Sequence, residues 1–65
     1  MASHPDPSSR LLQAVEALRA EADELQAQFN NRYPQMVQEG RFTALLGLSN
    51  RIGLLRHLAD TIAAL

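Results

Sequence analysis

Leu11, Val15, Leu18, Ala22, Leu25 and Phe29 follow one another at spacings of 4, 3, 4, 3 and 4. Leu45, Leu48, Ile52, Leu55, Ala59 and Ile62 do so at 3, 4, 3, 4 and 3. This alternation returns a side chain to one side of an α-helix, whereas a strand needs period two. Two heptad seams of equal length therefore dominate the chain. They predict an all-α fold, an antiparallel helical hairpin.

The first helix is expected over residues 8–31, with Ser8 or Ser9 as its N-cap. Asn30-Asn31 is a turn signal, and Pro34 biases Tyr33 away from helical angles. A turn with a short helical segment is expected over 32–40, ending at Gly40, and the second helix over 41–64. Each helix then has about 24 residues and a length of about 36 Å. Residues 1–7, with two prolines and no apolar pattern, read as a disordered leader, so that 8–65 form a single domain. His4 falls in that leader.

The second helix is the greasier one. Beside its seam, Leu54, Leu58, Thr61 and Leu65 make a second stripe, and Phe42 and Leu46 add apolar surface at its start. The apolar arc spans about 180°, against roughly 80° on the first helix. Two helices share one contact line, so the first helix covers about half of that arc. Each wet aliphatic side chain forgoes about 1.5–3 kcal/mol of burial. A 65-residue chain can bury only about 60% of its unfolded surface, so such losses matter. The remedy expected is a four-helix bundle, completed by homodimerisation or by docking on a helical partner. The expected partner or oligomer interface is Phe42, Leu45, Leu46, Leu48, Arg51, Ile52, Leu54, Leu55, Leu58, Ile62 and Leu65. The seam Leu11, Val15, Leu18, Ala22, Leu25 and Phe29 is expected inside the hairpin.

Charge supports pairing of the halves. Residues 1–31 carry five acids against two arginines, and residues 32–65 four arginines against two acids. All six basic residues are Arg, which suits bidentate contacts better than Lys. Arg51, on the apolar side, is expected to reach Glu21 or Glu24, to cross to a partner, or to keep its head in water with its stem buried. Gly47 and Gly53 each cost up to about 1 kcal/mol against Ala inside a helix. Close backbone approach by a neighbouring helix would justify them; a kink or break is the alternative.

Catalytic and ligand sets are not in evidence. There is no Cys, which removes disulfides and Cys-based zinc sites. No Gly-rich phosphate loop, HExxH or GxSxG occurs. His57 and Asp60, three apart, could form an imidazole–carboxylate pair, as ordinary solvated helices also do. No enzyme, cofactor, metal or small-molecule substrate is therefore expected. The net charge of −1 argues against a general nucleic-acid binder. No run approaches about 18 apolar residues, so no membrane partner is expected. With no signal-peptide pattern at the start, the expected location is the cytoplasm.

Two resemblances bear on function. Leu46-Gly47-Leu48-Ser49, followed by Arg56-His57-Leu58, resembles the turn and recognition helix of winged-helix bacterial repressors. That resemblance implies a dimeric DNA-binding regulator, a break at Gly47–Ser49, and Arg56 and His57 facing the groove. The spacing from Ser49 to Arg56 is one residue longer than that pattern, Gly53 replaces a β-branched core residue, and no wing strands follow. The Leu11–Phe29 seam, Gly40, Phe42 and the Leu54–Leu58 stripe resemble the small E-component co-chaperones of type III secretion. That resemblance implies a hairpin held in a heteromer, its second helix docked on a helical-repeat chaperone. The residues themselves point to a small non-enzymatic interaction module, such as an adaptor, anti-activator or chaperone. Such a module self-associates or captures an amphipathic helix through the second helix.

Overall fold

The computed structural model describes residues 7–65, with side chains from residue 8 onward. It consists of two packed α-helices, α1 (Pro7–Gln38) and α2 (Phe42–Ala63), with no strand among the described residues. The Cα atoms span 11 Å in the thinnest direction, so the hairpin is one helix thick and both of its broad faces are open.

α1 is longer than its sequence pattern suggests. It begins at Pro7, a residue suited to a first helical position because its missing N–H has no partner there anyway. Neither Ser8 nor Ser9 is the N-cap, since both lie within the helix. The rest of the expected leader, residues 1–6, lies outside the described residues.

At its other end α1 runs through Asn30, Asn31 and Pro34 to Gln38, rather than stopping near Arg32. An interior proline removes one backbone hydrogen bond and crowds the carbonyl four residues earlier. Packing outweighs that cost here. Met36, one heptad beyond Phe29, is half-buried and extends the seam. Tyr33 lays its ring against Phe29, one turn earlier, with centroids 5.5 Å apart. Gln26 to Asn30 and Gln35 to Glu39 add side-chain hydrogen bonds of 3.1 and 3.0 Å on either side of the proline. The connection between the helices is therefore residues 39–41, much shorter than the expected 32–40.

Gly40 makes that short connection possible. Its φ of 71° is left-handed, where a Cβ is disfavoured. The Gly40 N–H donates to the Val37 carbonyl at 3.1 Å and the Arg41 N–H to the Met36 carbonyl at 2.9 Å. This is the Schellman arrangement, which satisfies the last carbonyls of α1 while reversing the chain. Arg41 also pairs with Glu39 at 2.8 Å. α2 then starts with no side-chain cap.

The two heptad seams pack against each other. Val15 and Ala22 from α1 and Leu45, Ile52 and Ala59 from α2 are buried. Leu18, Leu25, Phe29, Leu48, Leu55 and Ile62 are half-buried beside them. Ala22 and Ala59 are fully covered, and their small side chains let the two backbones approach closely at mid-hairpin. Leu11 is the exception, at 43% exposure. α1 is about 15 Å longer than α2 at ~1.5 Å per residue, so its first turns overhang the end of α2.

α2 is a continuous helix from Phe42 to Ala63. Gly47, Leu48 and Ser49 lie inside it, so the break that a repressor-like turn requires does not occur. Neither Gly47 nor Gly53 kinks it away from helical structure, and nothing lies within 4 Å of a Cβ built on either. Close approach of α1 is thus not the reason for either glycine.

Candidate functional site

The helical step of about 100° per residue sorts the surface of α2 into two flanks of its buried seam. Leu46, Ser49, Gly53, Arg56 and Asp60 each directly follow a seam residue and form one flank. Gly47, Arg51, Leu54, Leu58 and Thr61 each directly precede one and form the other.

The first flank is tied to α1. Arg19 Nη2 lies 3.2 Å from Asp60 Oδ1. Arg56 donates to Gln26 Oε1 at 3.3 Å and approaches Asp23 Oδ1 at 3.5 Å. Arg19 and Asp23 themselves directly follow the α1 seam residues Leu18 and Ala22, so both cross-helix ion pairs occupy the same broad face. These pairs are exposed, and such contacts contribute only about 0–1 kcal/mol each. Their larger role is register: residue 19 is level with 60, and 23 with 56.

Among the described residues the second flank has no cross-helix ion pair. Leu54 and Leu58 are 57% and 41% exposed, and Leu65, just past the end of α2, is 88% exposed. The Leu65 N–H donates to the Ile62 carbonyl at 3.1 Å, one tight turn beyond the last residue of α2. Gly47, Arg51, Leu54, Leu58, Thr61 and Leu65 thus form a second line with spacings of 4, 3, 4, 3 and 4. It is a heptad seam with no helix against it. α1 contributes Ala14, Ala17, Glu21 and Glu24 to the same broad face, each directly preceding one of its own seam residues.

Arg51 has no ion-pair partner among the described residues. The expected pairing with Glu21 or Glu24 fails on register. Arg51 is level with Gln28, which places Glu24 about 6 Å and Glu21 about 10 Å further along the axis. The His57–Asp60 pair is also not formed: the Asp60 carboxylate accepts from Arg19 across the hairpin.

The structure therefore divides the expected interface. Leu45 and Ile52 are buried against α1 and unavailable to a partner; Leu48, Leu55 and Ile62 are half-covered by the same packing. Leu54, Leu58 and Leu65 remain open on one flank. Phe42 and Leu46 are exposed too, but they do not join that line. Leu46 is on the ion-paired flank, where register sets it level with Tyr33, and Phe42 with Val37. These four, all exposed, gather apolar surface at the turn end of the hairpin. From the sequence, Tyr33 and Phe42 are expected to pack over the hairpin end or to form a contact site; both are exposed here, and Val37, placed in the expected turn, joins them.

At the opposite end the α1 overhang leaves a shallow pocket of about 290 Å³, walled chiefly by Leu11, Leu12, Val15, Ile62 and Leu65, with Arg19 at its side. Among the described residues no three His, Cys, Asp or Glu side chains gather as metal ligands. No helix among them is long and apolar enough to cross a membrane.

No family model, curated protein or solved structure matches this chain.

Proposed function

We propose that the chain is a small non-enzymatic interaction module in which α1 braces α2 and α2 presents its outer heptad line to a helical partner. One observation carries the reading: Leu54, Leu58 and Leu65 are exposed at the spacing that a second helix would read. Complete burial of an aliphatic side chain is worth about 1.5–3 kcal/mol, and the exposed parts of these three together outweigh any exposed ion pair on this surface. Docking of one further hairpin on this flank completes a four-helix bundle. The partner gains affinity from apolar area, and the 3–4 spacing determines its register.

A photo-crosslinking side chain placed at Leu54 tests this in the native cells. The expected result is a discrete crosslinked product, with the chain itself or with another protein, that disappears in a Leu58→Glu background. Far-UV circular dichroism of that variant should keep its helical signal, since Leu58 lies outside the buried seam. Absence of any discrete product would overturn the reading.

A further inference from the structure

We infer that the occupant of the outer line on α2 is a second copy of this chain, its α2 running antiparallel to the first about a two-fold axis midway between Leu54 and Leu58. This rests on the docking reading above and specifies its partner.

The line is self-complementary in size when turned end for end. Leu54 then faces Leu58 of the second copy, and Leu58 faces its Leu54, placing four leucines at the centre. Moving outward, Arg51 faces Thr61 of the second copy, and Gly47 faces its Leu65. The least bulky residue of the line thus meets the most exposed one. Nothing in the hairpin lies within 4 Å of a Cβ at Gly47, so that notch is open from the outside. Leu65 at 88% exposure is the side chain with most to gain from entering it. A glycine that costs helix stability and serves no contact within the hairpin acquires a role in this pairing.

Charge selects the same arrangement. A parallel pair in register would set Arg51 opposite its own copy, two unpaired cations facing across an apolar seam. The antiparallel pair separates them by about 15 Å along the axis. It also brings each Arg51 level with Thr61 of the second copy, in the last turn of that α2. That turn carries no basic residue of its own, and the carbonyl end of a helix is its negative pole. No acid lies on the line to oppose the pairing. Gly53 is on the ion-paired flank and has no part in it.

Light scattering on the purified chain at about 100 μM should give twice the 7.2 kDa of one chain. A spin label on Thr43→Cys, in a chain that has no other cysteine, reports direction. The antiparallel pair sets the two labels about 39 Å apart along the axis; a parallel pair brings them to about 10 Å. Gly47→Leu should weaken the dimer about tenfold or more by filling the notch, while Gly53→Ala leaves dimer affinity unchanged. Both replacements should raise hairpin helicity, which separates their effect on pairing from misfolding.

A mass of one chain at every concentration overturns the inference. If the crosslinker at Leu54 still joins another protein, the docking surface stands and only its occupant is wrong. Labels near 10 Å, or equal effects of the two glycine replacements, would overturn the antiparallel arrangement.

Discussion

The Arg41 N–H donates to the carbonyl of Met36, five residues back, across 2.9 Å. That bond closes the end of α1, and it requires Gly40 between the two residues to hold φ at 71°. Leu45, the first buried residue of α2, follows only four residues after Arg41. A change in the turn therefore transmits directly to the register of the seam.

Replacing Gly40 by Ala should lower hairpin stability by about 1–2 kcal/mol, the cost of a Cβ in the left-handed region. No neighbour lies within 4 Å of that Cβ, so the loss is conformational and not steric. Asn at the same position should recover part of it, because Asn tolerates this region better than Ala. Urea titrations followed by circular dichroism would check the order Gly, Asn, Ala.

Ile52 and Leu54 differ by two positions and should differ sharply in their response to truncation. Ile52 is 5% exposed, and Ile52→Ala should cost about 2–5 kcal/mol of hairpin stability. Leu54→Ala removes no buried contact of the single chain, and there it should stay within about 0.5 kcal/mol of wild type. In an associated species the Leu54 change should instead raise the concentration needed for assembly. Denaturation at several protein concentrations distinguishes the two.

Pro34→Ala should extend the thermal stability of α1. It returns an N–H to the helix and removes the clash with the carbonyl four residues earlier, a penalty of about 3 kcal/mol at most sites of this kind. The gain should be visible as a higher melting temperature with unchanged or greater helical signal. A fall in melting temperature would mean that packing around Met36 and Tyr33 depends on a bend that the proline supplies.

The heptad seams were legible before any coordinates. Val15, Ala22, Leu45, Ile52 and Ala59 fall on heptad seams by spacing alone, because helical periodicity is a local property of the chain. The apolar excess on α2 was legible for the same reason. The end of α1 was not. Asn30-Asn31 and Pro34 are true turn signals, and a local reading gives them full weight. Met36 overrides them by extending the seam against α2, a contact that a local reading does not contain, and the Tyr33 ring on Phe29 adds to it.

Periodicity by itself determined which residues of each helix face inward and that α2 carries more apolar surface than α1 can cover. Only the tertiary structure decided which flank of the seam the cross-helix ion pairs would occupy. Both flanks of α2 hold an arginine and apolar side chains, so the one-dimensional pattern does not distinguish them. The short left-handed turn at Gly40 and the register of Arg19 with Asp60 made the choice, placing the ion pairs on one side. Leu54, Leu58 and Leu65 were left on the other, because a helix packed along one line can shelter only the side chains its axis reaches.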